Sequence, residues 1–151
     1  MLNKYIDKYV ILQTLIVIAM IWAAVVDHVH MATIVWAFGV LVFVAGFLIM
    51  GFAFLELGSS FTPVATPLEG GRLVTTGLYG FVRHPMYFGG ILIAFGWSIF
   101  WGSLIGILLS FALGIIVDLK SKAEEKKLVH KYPEYIAYKA KVVRKLIPYI
   151  Y

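Results

Sequence analysis

Tyr87–Val117 reads YFGGILIAFGWSIFWGSLIGILLSFALGIIV, 31 residues without a charge. How this run is threaded decides the fold. It forms either one very long helix or a hairpin of two short ones, and the basic residues choose between them. Nine of the 13 Lys and Arg residues lie between Lys120 and Lys145, just after the run. With Lys4 and Lys8 on the cytoplasmic side, two earlier spans return the chain to that side at Arg72 to Arg83. A single third helix would then carry the nine basic residues outside, against the positive-inside rule. A turn at Trp101-Gly102-Ser103 keeps them inside. Each arm has about 14 apolar residues, roughly 21 Å of helix, so the arms are expected to extend beyond the run at their cytoplasmic ends.

The earlier spans run from about Tyr9 to Val26 and from about Ala32 to Leu55, both uncharged and long enough to cross a bilayer. The first ends in Asp27-His28-Val29-His30 without a small-residue cleavage pattern, so it reads as a span and not as a cleaved signal. Composition agrees: the 151 residues are 62% hydrophobic and 14% charged, with a mean hydropathy of +0.91. A soluble domain is nearer half apolar and a quarter charged. The chain is therefore expected to be an all-α integral membrane protein with about four transmembrane helices, the last two a tight hairpin. The formal net charge of +5 gathers beside the last apolar segment, which suits anionic lipid and not nucleic acid. The absence of cysteine excludes disulfides, a thiolate nucleophile and sulfur-ligated metal.

The connection Glu56–Val82 contains Gly58, Pro63, Pro67, Gly70, Gly71, Gly77 and Gly80 among Val, Leu, Phe and Tyr, and reads as an ordered irregular loop. The fourth helix has no breaker from Ser103 to about Lys131, and Pro133 ends it. Tyr135, Ile136, Val142, Val143 and Leu146 then fall on one helical face, the pattern of a C-terminal interfacial amphipathic helix. Gly39, Gly46, Gly51, Gly90, Gly96, Gly102 and Gly106 are read as positions of close helix packing.

Arg83-His84-Pro85-Met86-Tyr87 is the first chemical cluster. Arg presents a fork of donors matched to a carboxylate or phosphate, and His exchanges protons near neutrality. Pro85 suits the first turn of a helix, and the backbone before it would make an anion site. Tyr79 and Tyr87 offer aromatic faces to a flat ring or a cation. The same residue types also serve simply to anchor a helix end at the interface. Glu124 and Glu125 are the second cluster. Lys120 and Glu124 stand at i, i+4, the spacing of an ordinary ion pair, yet both glutamates fall on the side of the membrane that carries Arg83 and His84. Asp27, His28 and His30 read as a solvated loop on the opposite side, not a metal site.

These motifs resemble the integral-membrane methyltransferases typified by isoprenylcysteine carboxyl methyltransferase and the phospholipid methyltransferases. The likeness rests on Gly70-Gly-Arg72-Leu-Val-Thr-Thr-Gly77-Leu-Tyr79, Arg83-His84-Pro85-x-Tyr87, Glu124-Glu125-x-x-Leu128-x-x-x-Tyr132, Tyr135-x-x-Tyr138 and Arg144-x-x-Ile147-Pro148. It covers roughly Glu56 to Pro148. It implies S-adenosylmethionine as methyl donor, with S-adenosylhomocysteine as product, and a lipophilic acceptor that is isoprenylcysteine-like or phospholipid-like. Carried over, the cofactor site would be Gly71, Arg72, Leu73, Val74, Tyr79, His84, Pro85, Met86, Tyr87 and Glu125. Glu124, Lys120 and Arg83 would be the catalytic residues, and no metal is implied. Carboxyl methyltransferases place an arginine where this chain has Lys120, which leaves the acceptor open as carboxylate, amine or thiol.

The span reading and the resemblance together divide the single membrane domain, 1–151, into two N-terminal helices (1–56), a cytoplasmic cofactor loop (57–86) and a catalytic hairpin with the amphipathic segment (87–151). Both termini and the site would be cytoplasmic. Membrane lipid is the expected partner, without nucleic acid. An NADPH-dependent sterol or steroid reductase is the enzymatic alternative, although Met86 and Gly89-Gly90 depart from that group's pattern. A small membrane scaffold is the non-enzymatic one.

Overall fold

The computed structural model describes residues 7–63 and 70–151. Lys4 and Pro67, which entered the sequence reading, lie outside the described residues. Five α-helices follow in order: α1 (Lys8–Val26), α2 (Thr33–Leu57), α3 (Pro85–Trp101), α4 (Leu104–Lys131) and α5 (Tyr135–Lys141). No strand occurs among the described residues. By length and composition α1, α2 and α4 can each cross a membrane, and α3 is a shorter apolar helix. Large apolar side chains such as Ile34, Leu41, Phe52 and Leu108 point outward, the inverse of a water-soluble surface.

The turn that the charge pattern called for is present. α3 stops at Trp101 because Gly102 takes the left-handed conformation, with φ of 63°. Ser103 then caps α4, its Oγ accepting from the Gly106 amide at 2.9 Å. Asp27 completes the cap from another part of the chain, its Oδ2 accepting from the Ile105 amide at 2.7 Å. That gives Asp27 a structural task at the loop between α1 and α2. At the other end of the hairpin Pro85 occupies the first turn of α3, and α4 runs on past the end of its uncharged run at Val117 to Lys131.

α2 and α3 lie antiparallel with their backbones in contact. A Cβ added at Gly46 would stand 2.7 Å from the Ile93 nitrogen and 2.8 Å from the Gly89 carbonyl oxygen, and one at Gly39 2.7 Å from the Phe100 nitrogen. Gly89 and Gly96 face them from α3 at the same seven-residue spacing. Gly51 and Gly90 meet nothing within 4 Å, so these two nominated glycines are not packing positions, whereas Gly89, which was not nominated, is. Removal of side chains lets dispersion forces act between backbones, which replaces the hydrophobic drive that lipid cannot supply. α1 packs mainly on α4, across the molecule from its neighbour in sequence. Met20, Ala94, Leu113, Val117 and Leu146 form the core where α1, α3, α4 and the C-terminal segment meet.

The C-terminal helix is shorter than the amphipathic pattern predicts, ending at Lys141. Val142 and Leu146 are buried, while Ile136 and Val143 are exposed, so the five residues do not share one face. The backbone beyond Lys141 is bound elsewhere. Arg83 and His84 donate their amides to the carbonyls of Arg144 and Lys145, each at 3.0 Å. The Arg83 guanidinium takes the carbonyls of Val142 and Val143. A helix would need those same carbonyls for its own ladder.

Candidate active site

A cavity of about 580 Å³ lies among α1, α2, α3 and α4, bordered by Ser60–Pro63, by 72–74 and by α5. Its lining changes character along its length. Val17 and Ile18 of α1, Ile93 of α3 and Leu113 and Val117 of α4 make one end apolar. Arg72, His84, Lys120 and Glu124, with the rings of Tyr79 and Tyr132, make the other polar and aromatic. One face of α4 carries the transition, because Leu113, Val117, Lys120, Glu124 and Leu128 recur every three or four residues and so point the same way.

The twin glutamates diverge. Glu124 faces the cavity and accepts from the Tyr87 hydroxyl at 2.7 Å. Glu125 is buried behind it, where it accepts from Arg83 Nε and from Lys139 Nζ, each at 2.7 Å, and lies 3.3 Å from His84 Nε2. Burial alone would raise the Glu125 carboxyl, but the hydrogen bonds from His84, Lys139 and Arg83 outweigh it and hold the group well below the usual carboxylate range. His84 is thereby oriented edge-on to Glu125 while its ring stacks on Tyr87, with centroids 5.4 Å apart and planes within 7°. Burial, and next the nearby charge of Glu124, push the Tyr79 phenol up, so it stays protonated.

The glycine-rich loop is held by side chains from several elements. Glu56, at the end of α2, accepts from the Leu78 amide at 2.9 Å through Oε2. Ser60 Oγ accepts from the Arg72 amide at 3.0 Å. Tyr132 donates to the Gly71 carbonyl, and Tyr138 to the Tyr79 carbonyl at 2.7 Å. Four distant residues thus fix the backbone of 71–79, where the regular structure is one short 3-10 turn at Gly77–Gly80.

Ten of the thirteen residues given a catalytic or cofactor role from sequence line the cavity: Arg72, Leu73, Val74 and Tyr79 from the loop, then Arg83, His84, Met86 and Tyr87, then Lys120 and Glu124 from α4. Gly71, Pro85 and Glu125 stand outside that lining. Arg83 borders the cavity, yet its named hydrogen bonds run away from it, to Glu125 and to two carbonyls of the C-terminal segment. The amides of Arg83 and His84, expected to cradle an anion, are taken by the Arg144 and Lys145 carbonyls. Lys120 does not make the simple helical pair with Glu124. Its ammonium donates to Gln13 Oε1 at 3.0 Å and to the Pro63 carbonyl at 2.8 Å, 5.2 Å from the centre of the Tyr87 ring.

Sequence reading passed over Gln13 and Thr14 of α1, which also line the cavity, and quoted Leu128, a further lining residue, only as part of a motif without a place in the site. A signal was available for each. Gln13 and Thr14 are an amide and a hydroxyl inside an otherwise apolar span, a costly placement that points to the protein interior. Leu128 continues the helical register of Lys120 and Glu124.

Among the described residues the fold is all-helical with three helices long and apolar enough to cross a membrane, and its cavity is charged and aromatic at one end and apolar at the other. The sequence pattern of the phospholipid methyltransferases matches residues 28–135, and the chain belongs to that family. Among solved structures it is similar to the eukaryotic intramembrane Ras methyltransferase, isoprenylcysteine carboxyl methyltransferase, determined without a monobody. The two share 26% identity and superpose with a TM-score of 0.70 over 77% of this chain and 43% of that one. The chain therefore spans less than half the length of that relative. No curated protein matches it.

Proposed function

We propose that this protein is an S-adenosylmethionine-dependent methyltransferase acting on a lipophilic acceptor within the bilayer. The observation that carries the proposal is the two-faced cavity in a chain of this family. Its volume of about 580 Å³ falls within the usual ~300–1,000 Å³ of small-molecule sites. When bound, the donor supplies a methyl group on a sulfonium for in-line displacement, so the protein's task is positioning and electrostatics.

The residues present fit such a group. Tyr79, Tyr87 and Tyr132 offer aromatic faces and Glu124 a carboxylate, a set that favours a cation over an anion. Arg72, Leu73 and Val74 close the polar end beside His84 and Met86. Arg83 and Glu125 act as the frame behind it, locking α3, α4 and the C-terminal segment so that His84 and Tyr87 keep their angles. Glu124 is aimed by Tyr87 at the junction between the polar and apolar ends. A carboxylate acceptor needs no base there, whereas an amine must lose a proton, which Glu124 is placed to accept. In this reading α3 crosses the bilayer with the other three long helices, and the nine basic residues put the site and both termini on the cytoplasmic side.

Titration calorimetry on detergent-purified protein tests the reading directly. S-adenosylhomocysteine is expected to bind saturably and NADPH not to bind. Glu124→Gln is expected to keep that binding while methyl transfer to extracted membrane lipid or a farnesylated cysteine drops at least about 100-fold for an amine acceptor. NADPH binding without adenosylhomocysteine binding would replace the methyltransferase by a reductase.

A further inference from the structure

Lys120 lies where the cavity passes from apolar to polar, one turn before Glu124 and one after Val117. It is 4% exposed. An ammonium has three donors, and among the described residues two of them go to uncharged oxygens: Gln13 Oε1 from α1 and the Pro63 carbonyl from the connection after α2. Neither oxygen carries a charge that would cancel that of the ammonium, which also feels Glu124 and Asp7 electrostatically, and Lys120 itself lines the cavity. Gln13 is the α1 side chain that hydrogen-bonds Lys120, and α1 lies wholly before residue 28, outside the part of the chain that the family pattern matches. The same helix supplies Val10, Thr14, Val17 and Ile18 to the wall.

We propose that Gln13 is a specificity-determining residue through which α1 sets how strongly Lys120 holds an anionic oxygen on the acceptor's head group, with the acceptor's tail along Val17, Ile18, Leu113 and Val117. The proposal rests on the methyltransferase reading. The oxygen belongs to a phosphate in a phospholipid or to a carboxylate in a prenylated cysteine, which present the same chemistry to an ammonium. A neutral amide shares the cation without neutralising it. A carboxylate at position 13 would pair with Lys120 and compete with the acceptor, whereas an apolar residue would return a donor to the cavity. Gln13 is thus a partial competitor, and its chemistry tunes the subsite in either direction.

The experiment compares wild type, Gln13→Glu and Gln13→Leu in mixed micelles, with phosphatidylethanolamine in one arm and a farnesylated cysteine in the other. Each variant is first titrated with S-adenosylhomocysteine, whose Kd is expected to stay within about twofold because the Gln13 side chain bonds Lys120 and none of the residues assigned to the donor. For the acceptor that is turned over, KM is expected to rise about tenfold in Gln13→Glu and to fall in Gln13→Leu, with kcat little changed, the size of one charge-assisted hydrogen bond. Opposite signs separate this role from a merely structural one, in which both variants would lose activity together. Unchanged KM, or equal loss in kcat and KM for both variants, overturns the proposal while the donor titration upholds the methyltransferase reading. A wild-type protein that binds S-adenosylhomocysteine yet turns over neither acceptor also counts against it. A wild-type protein that binds no S-adenosylhomocysteine overturns the methyltransferase reading, and this proposal falls with it.

Discussion

Arg83 illustrates how one side chain links three parts of the chain. It ties Glu125 of α4 and the carbonyls of Val142 and Val143 to the start of α3, and the pair is nearly buried, at 6% and 7% exposure. Breaking such a pair strands a charge, so Arg83→Ala is expected to cost about 3–5 kcal/mol, read as a lower melting temperature in detergent. Arg83→Lys is expected to recover only part, since a lysine lacks the fork that reaches all three partners. Glu125 carries a pH signature. Its folded-state value lies below the ordinary 4.5, so its stabilisation is complete above that pH and is lost as pH falls below it. Thermal melts of wild type are expected to drop steeply under pH 4.5, and those of Glu125→Gln to be lower at neutral pH but flatter on acidification. Residue types made Arg83, His84 and the two glutamates legible from sequence. Which glutamate meets the cavity was not, because neighbours on a helix differ by about 100°, and only the docking of α3 selects between them.

At the scale of elements, packing between α2 and α3 depends on glycines that allow backbone contact. Gly46→Val puts a branched side chain against the Ile93 nitrogen and Gly89 carbonyl, and a separation of two helices is expected to cost about 1–3 kcal/mol. Gly51→Ala meets nothing within 4 Å and is expected to be neutral or to stabilise by up to about 1 kcal/mol, as alanine is the better helix former. Melting curves of the two variants check the contrast. The hairpin and its turn could be read from charge alone, because the cost of carrying nine basic residues across a membrane exceeds any local preference. The length of α5 could not. Its apolar pattern continues past Lys141, but long-range bonds from Arg83 and His84 take the carbonyls a longer helix would use.

For the whole molecule, orientation is the open property with the simplest measurement. Lys126 and His30 are exposed near opposite ends of the bundle. In sealed vesicles, Lys126→Cys and His30→Cys are expected to react with an impermeant maleimide from opposite faces, Lys126→Cys from the cytoplasmic one. Reaction of both from one face would remove the shared cytoplasmic site. Ligand linkage gives a second test at this scale. S-adenosylhomocysteine at 100 times its Kd is expected to stabilise the fold by about 2.7 kcal/mol, seen as a rise in melting temperature that NADPH does not produce.

Hydropathy, charge placement and a few ordered motifs were enough, by themselves, to establish an all-helical membrane protein, its final hairpin, the loop that borders the cavity and the methyltransferase resemblance. These properties are local or additive: a span needs length and apolarity, and a turn needs glycine and a capping serine. Only the tertiary structure decided that α1 crosses over to pack on α4 and brings Gln13 to Lys120. It likewise decided that Glu125 is buried against Arg83 while Glu124 faces the cavity, and that the C-terminal segment pairs with the start of α3. Those outcomes depend on which helices meet and at what rotation. That choice is made by backbone contact and buried hydrogen bonds between residues far apart in the chain.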